Sequence, residues 1–389
     1  MYNVILVTYS EIGLKSPPVR HQLERQLSHH IQNVLHSHGL SGSVLRRIQG
    51  RLLIENTPAT VTTAQMVAQV FGVAAAMPAI RISTEFENII ATVRNVAKAI
   101  IEPNESFAID ARRTGEHSFS SRDLEIAAGH AVEQLFSLQN VNVNLRRPDK
   151  TIHLEVRGNE TYIYHQILSG VSGLPFGSQG KVVTLFSGGI DSPVASWLMM
   201  KRGCNPLLLF CDQQPYVGFD YYQRALDIAH VIRRYVPLKR YYLYTLPMGF
   251  IMDAILGTVT SRFVCVCCKR MMYRLASKLA NQLHCQGLVT GENLGQVASQ
   301  TLSNLRVLDE AVSLPVFRPL IGYEKLESIQ LAKQIGTFRL STTKVHGCTA
   351  VPSKPSTKAK LDSIKQFEEK LDIPYLISRA YKGIKRIEL

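Results

Sequence analysis

The segment Ser187-Gly188-Gly189-Ile190-Asp191-Ser192 is the strongest chemical signal in the chain. It directly follows an apolar run, Val182 to Phe186, and leads into a helical pattern from Asp191 to Arg202. Small residues let a backbone approach phosphate oxygens, and the free N–H groups and positive dipole at a helix start favour anions. The Ser187 and Ser192 hydroxyls add donors. Asp191 sits oddly in such a place, because a carboxylate repels phosphate unless a cation stands between them. A magnesium ion meets that need. The plain alternative is a glycine turn with a Ser/Asp cap. The coincidence of strand, glycine pair, Asp-Ser and helix favours phosphate binding. No GxxxxGK[ST] pattern occurs, so the loop is not of the Walker type.

Cysteine is the second signal. Seven cysteines, Cys204, Cys211, Cys265, Cys267, Cys268, Cys285 and Cys348, are unevenly spaced and absent from the first half. That is no secreted disulfide framework. Cys265 and Cys268 form a CxxC pair, expected just before a helix over 269–283. Thiolates at this spacing suit zinc, an iron–sulfur cluster or a redox pair. Cys204, Cys211 and Cys285 lie in apolar or helical contexts and read as core.

These groups need a scaffold. From Lys181 strands and helices alternate: strands over 182–186, 206–211, 241–246 and 287–290, and helices over 191–202, 220–235 and 269–283. Such alternation predicts a doubly wound parallel sheet, with ligands beyond the carboxyl ends of its strands. The lysine-rich stretch 354–370 reads as a helix with a solvated face. The first half reads as α+β. A strand over 2–8 precedes a helix carrying Leu23, Leu27, Ile31 and Leu35 on one face, and 42–54 reads as a hairpin. Helices are expected over 61–70, 89–101 and 120–138, the last with Leu124, Ala127, Ala131 and Leu135 in register. Strands are expected over 107–110, 141–145 and 152–156. The glycine-rich stretch 170–180 reads as a linker. The expected division is 1–60, 61–169, the linker 170–180, and 181–389.

The chain has 389 residues with 46% hydrophobic composition, which suits two or three globular domains. Its apolar runs fall well short of the roughly 18 residues of a membrane span, and Met1 to Lys15 does not resemble a signal peptide. A cytoplasmic, membrane-free protein is expected. Net charge is +14. Residues 1–180 hold 16 Lys+Arg against 15 Asp+Glu, and residues 181–389 hold 28 against 15. A basic field of this kind suits a polyanion such as RNA. The first half instead has local clusters at Arg46, Arg47 and Arg51, at Arg112 and Arg113, and at Arg146, Arg147 and Lys150.

The loop Ser187–Ser192 resembles that of the PP-loop pyrophosphatases, which cleave ATP between the α and β phosphates. Three further segments resemble one branch, the ThiI family of tRNA 4-thiouridine synthetases: Thr290-Gly291-Glu292-Asn293-Leu294-Gly295-Gln296-Val297-Ala298-Ser299-Gln300-Thr301, Phe317-Arg318-Pro319-Leu320-Ile321-Gly322-Tyr323-Glu324-Lys325, and Lys269-Arg270-Met271-Met272. Glu11-Ile12-Gly13-Leu14-Lys15-Ser16 and Gly50-Arg51-Leu52-Leu53 resemble its ferredoxin-like domain. Gly173-Leu174-Pro175-Phe176-Gly177 resembles the end of a THUMP RNA-binding domain.

That resemblance implies a ferredoxin-like domain, a THUMP domain and a PP-loop catalytic domain acting on tRNA with ATP and magnesium. Leu185, Phe186 and Phe210 would contact the nucleoside, and Ser187, Gly188, Gly189, Asp191 and Ser192 the pyrophosphate. Lys269 would neutralise phosphate charge, with an exposed helix lysine as the alternative. Gly291 and Gln300 would lie against the nucleotide, or be a turn glycine and a surface amide. Lys325 would stabilise charge developing during adenylation, or be a solvated loop lysine. Cys348 matches the family's sulfur-handling cysteine. Longer members carry a C-terminal rhodanese domain that delivers persulfide sulfur. This sequence ends at Leu389 without one and is similar to the short, mainly archaeal subgroup linked to an iron–sulfur cluster. Cys265, Cys268 and Cys348 are the expected ligands. Zinc with His346 or Cys267, or a redox pair with Cys348 as persulfide carrier, remain alternatives. The sulfur donor, sulfide or the persulfide of a cysteine desulfurase, stays open, as do a homodimer and a role in thiamine thiazole synthesis. Another PP-loop enzyme, such as a cytidine thiolase, and a non-catalytic tRNA-binding protein are the rival readings.

Overall fold

The computed structural model describes residues 2–48 and 50–389, and the chain divides into two units, Met1–Gly173 and Leu174–Leu389. In the first unit the elements run β1 (Val4–Thr8), α1 (Pro17–Ser37), β2 (Val44–Ile48), β3 (Arg51–Glu55), α2 (Val61–Ala68), β4 (Ala75–Ser83), α3 (Phe86–Ile100), β5 (Ser106–Thr114), α4 (Ser121–Leu135), β6 (Asn142–Val143), β7 (Lys150–Arg157), β8 (Glu160–Tyr164) and β9 (Leu168–Ser169). One sheet joins them in the order β2-β3-β1-β4-β8-β7-β5-β6, with β9 on β4. Strand β4 is shared: residues 75–79 pair with β1, and residues 80–83 pair with β8. The division expected after residue 60 falls inside this sheet's span of the chain.

The predicted face of α1 holds, since Leu23, Leu27, Ile31 and Leu35 are all buried. In α4 the buried face is Leu124, Ala128, Ala131 and Val132, so Ala128 takes the place expected of Ala127. A Ser120–Asp123 capping box sets the start of that helix. The glycine-rich stretch is not loose. Ser172 N–H donates to the Val73 carbonyl, Val171 N–H to that of Ala68, and a Cβ on Gly170 would come within 2.2 Å of the Val73 oxygen. Leu174 and Phe176 are buried.

The second unit runs β10 (Lys181–Leu185), α5 (Asp191–Lys201), β11 (Asn205–Asp212), α6 (Phe219–Arg233), β12 (Tyr242–Pro247), α7 (Gly249–Thr258), α8 (Val264–Gln282), β13 (Leu288–Val289), α9 (Leu302–Asp309), β14 (Val316–Phe317), α10 (Lys325–Ile335), α11 (Phe338–Ser341), α12 (Leu361–Glu368), α13 (Ile373–Lys382) and β15 (Lys385–Glu388). The sheet order is β14-β13-β10-β11-β12-β15, parallel except for β15. The chain builds outward from β10 to β12, then returns to add β13 on β10's other side. The order therefore reverses between β10 and β13, and the carboxyl ends of these two strands mark the crevice where ligands bind in sheets of this kind.

Two expectations change here. Helix α8 starts at Val264, five residues before Lys269, so Cys265, Cys267 and Cys268 sit in its first turns rather than ahead of it. The β-branched valines and cysteines at 264–268 mask the start, while burial of Val264, Val266, Cys267 and Cys268 holds the turn. The lysine-rich stretch keeps its lysines exposed, as expected, but its other side is buried. Ile364 is fully buried and Glu368 nearly so, because α12 closes on α8. There Arg270, itself fully buried, donates to both Glu368 oxygens at 2.8 Å and to Glu310 at 2.9 Å.

Candidate active site

The phosphate loop occupies the crevice at the reversal point. It is braced from within: Ser187 N–H donates to Ser192 Oγ at 2.8 Å, the two serine hydroxyls are 3.0 Å apart, and Gly189 N–H reaches Ser187 Oγ at 3.3 Å. Ser192 is buried, so its hydroxyl shapes the loop. Asp191 enters the first turn of α5, where the helix dipole favours a carboxylate. Its charge partner is Lys325, whose ammonium lies 2.8 and 2.9 Å from the two carboxylate oxygens, and Gln296 Nε2 adds a bond of 3.1 Å. The expected cation beside Asp191 is thus supplied in part by a lysine.

Gly291 follows β13 and touches α5 directly. A Cβ there would sit 2.6 Å from Ser192 N and 2.7 Å from the Asp191 carbonyl carbon. Its glycine lets β13's end close on the helix start, a packing role that its turn-like sequence did not reveal. The next residue, Glu292, is a buried hub. It accepts from Lys269 Nζ at 3.0 Å, Tyr273 OH at 2.6 Å, Thr290 Oγ1 at 3.1 Å and Arg318 Nε at 2.9 Å. Burial pushes the Glu292 carboxyl up, but Lys269, Tyr273 and Arg318 outweigh it and hold it below its ordinary value. Lys269 is therefore aimed by Glu292, and sequence reading had not singled out that carboxylate's part. Gln300 is buried, with its Oε1 lacking a hydrogen-bond partner. Leu185 and Phe186 end β10, Phe186 N–H pairing with the Leu209 carbonyl at 2.8 Å. Phe210 is buried under the rings of Tyr221 and Tyr222, with centroids 6.0 and 5.7 Å away.

The cysteines divide by face. Cys265 and Cys268, three residues apart on α8, share one side. Cys268 is buried and accepts from Gln213 Nε2 at 3.1 Å. Burial raises both thiols, and the neighbouring Cys348 raises them further. Cys267 feels Glu368 instead, and burial pushes it up to about 12. Cys204, Cys211 and Cys285 are buried, as their contexts suggest. His346 Nδ1 lies 2.9 Å from Asp220, which leaves it tied to α6. Among the described residues no three His, Cys, Asp or Glu side chains are gathered tightly enough to hold a metal ion. No helix among them is long and apolar enough to cross a membrane.

Comparison with known proteins places this geometry. The model of the ThiI thiamine biosynthesis protein matches residues 177–373, that of the THUMP domain 83–166, and that of the ThiI ferredoxin-like domain 4–76. The chain is 40% identical to the probable tRNA sulfurtransferase of Methanosarcina mazei, covering 100% of this chain and 96% of that one. It is 37% identical to the tRNA sulfurtransferase of Thermoplasma volcanium, covering 96% and 76%. Its structure is similar to that of a 4-thiouridine synthetase solved with RNA and bound ATP, at a TM-score of 0.89 and 28% identity over 100% of both chains. Matches across both units and full-length relatives at this identity mean that the chain belongs to the ThiI family.

Proposed function

We propose that this chain is an ATP-dependent tRNA sulfurtransferase that converts the uridine at position 8 to 4-thiouridine. The observation that carries the reading is the Asp191–Lys325 pair set on a braced phosphate loop at the sheet's reversal point. ATP would lie with its phosphates on Ser187–Ser192 and its nucleoside along Leu185, Phe186 and Phe210. Uridine O4 attacks the α phosphorus, pyrophosphate leaves, and the adenylated oxygen becomes a good leaving group. Sulfur then adds at C4 and AMP departs. Lys325 and Lys269 offset charge that builds on the phosphates. A magnesium ion brought by the nucleotide would need only one or two protein carboxylates besides phosphate oxygens, and Asp191 would supply one. The RNA-handling part is residues 1–169, where Arg112, Arg113, Arg146 and Arg147 are exposed for phosphate contacts. The stretch 170–180 connects it to the catalytic part, 181–389. A cytoplasmic setting agrees with the seven free cysteines.

For the sulfur step we favour an iron–sulfur cluster on Cys265, Cys268 and Cys348. The donor chemistry supports this reading, since all three are soft ligands, and the three thiols would have to draw closer than they stand here to bind a cluster. A cluster held by three cysteines would offer an open iron for sulfide. Cys267 faces Glu368 and His346 is engaged by Asp220, which disfavours them as fourth ligands of zinc.

The deciding experiment is ATP–pyrophosphate exchange with and without tRNA, followed by mass spectrometry of the nucleosides. We expect exchange and 4-thiouridine that both require tRNA. Exchange without any thionucleoside, or 2-thiocytidine in its place, overturns the assignment.

A further inference from the structure

A strap from Ser341 to Thr349 runs along the rim of the crevice and carries Cys348. It is tied at successive points. Ser341 Oγ donates to the Gly189 carbonyl at 3.3 Å. The Thr343 carbonyl accepts from Arg224 Nη1 at 2.7 Å. His346 N–H donates to Asp220 Oδ2 at 2.9 Å, the His346 carbonyl accepts from Gly218 N–H at 3.2 Å, and Thr349 N–H donates to the Tyr216 carbonyl at 2.9 Å. All but the first of these ties lead to the start of α6 or the loop before it.

Arg224 is the member that touches both ends. Its guanidinium stacks on Tyr221, 5.2 Å from the ring centroid. Its Nε is buried without a hydrogen-bond partner and faces Gly188 so closely that a Cβ there would lie 2.8 Å away. A charged donor buried with one N–H unpaired is costly, and such groups persist where position matters.

We propose that Arg224 is a positioning residue that registers the Cys348 strap on the phosphate loop, so that sulfur arrives where the nucleotide is adenylated. The inference rests on the sulfurtransferase reading. It assigns Arg224 to the second half-reaction and leaves formation of the adenylate to the loop, Asp191 and Lys325.

The test compares Arg224→Ala and Arg224→Lys with the unaltered protein in three measurements: tRNA-dependent ATP–pyrophosphate exchange, 4-thiouridine formation, and tryptic cleavage after Lys344, which is exposed within the strap. In Arg224→Ala thiolation should fall about 10- to 100-fold while exchange falls less than about 3-fold, as expected for misplacement of one reactant only. Cleavage after Lys344 should speed up about 5-fold or more, because a released strap opens locally. Arg224→Lys, which keeps one donor for Thr343, should recover part of both. Exchange and thiolation falling in parallel, thiolation left unchanged, or an unaltered cleavage rate each overturn the proposal. If the unaltered protein shows no tRNA-dependent exchange, the sulfurtransferase reading fails instead, and the cleavage measurement still judges the tie.

Discussion

Lys325 Nζ bonds both carboxylate oxygens of Asp191, at 2.8 and 2.9 Å, across a sequence separation of 134 residues. The two side chains come from opposite electrical situations. Asp191 stands at the start of α5, where a negative charge is favoured, whereas Lys325 is the first residue of α10, where a positive charge is not. The Lys325 side chain is 41% exposed. A pair open to water in this way contributes only about 0–1 kcal/mol to stability. Its importance lies in holding an ammonium at the mouth of the phosphate loop.

Asp191→Ala should therefore abolish thiolation while tRNA affinity stays within about 3-fold, since the proposed RNA-handling residues belong to the other unit of the chain, far from it in sequence. Lys325→Ala should do the same, and the double variant should be no worse than either single one, because the two act as a unit. Nucleoside mass spectrometry on cells carrying only the variant, with gel-shift titration of tRNA, measures both. Normal 4-thiouridine content in either single variant would refute the pair's role.

Gly291→Ala forces a methyl group against backbone atoms of Asp191 and Ser192 that have little room to move. We expect a loss of about 1–3 kcal/mol in unfolding free energy together with lost pyrophosphate exchange. Gly322→Ala is the control, since a Cβ there meets nothing within 4 Å. Equal urea midpoints for the two variants would show that the close approach at Gly291 is relaxed easily.

Acid should loosen the closure of α12 on α8. Burial raises the Glu368 carboxyl, but Arg274 and Arg270 pull it down to about 2 from an ordinary 4.5. A depressed carboxylate contributes stability above its unfolded value and loses it as pH falls, here between about 4.5 and 2. The amount is on the order of 3 kcal/mol. Denaturant titrations across that window should show the second unit weakening, and Glu368→Gln should be less stable at neutral pH with a flatter acid limb. An unchanged acid limb in that variant would assign the effect to other groups.

Cys265→Ala, Cys268→Ala and Cys348→Ala should each lose bound iron and thiolation in protein purified without oxygen. Cys204→Ala, Cys267→Ala and Cys285→Ala should keep both. Iron analysis and the visible absorption spectrum report the metal independently of turnover. Fully active protein with stoichiometric zinc and no iron would exclude the cluster.

The α/β rhythm of the second unit was legible because its buried strands and amphipathic helices each fit one period. Strand β4 was not, since Ala75–Ser83 is rich in alanine and carries Pro78, which argues against a central strand. Strand β8 was missed as a five-residue run just past the turn at Gly158 and Asn159. In the site, the loop and Lys325 stood out by residue type and motif. Glu292 lies inside the Thr290–Thr301 motif, yet nothing local shows that four donors converge on it. Arg224 carried no signal at all, because its meaning depends on Thr343, which lies 119 residues away.

The sharing of β4 makes the first unit sensitive to length at one place. Side chains on a strand alternate faces, so deleting or inserting one residue between Ala79 and Ile80 would turn every following side chain of β4 over relative to β8 while leaving its pairing with β1 in phase. Loops such as that at 56–60 can vary in length across relatives without this penalty. The nine-residue span of β4 therefore acts as a fixed gauge, and gaps in alignments of related chains should avoid it.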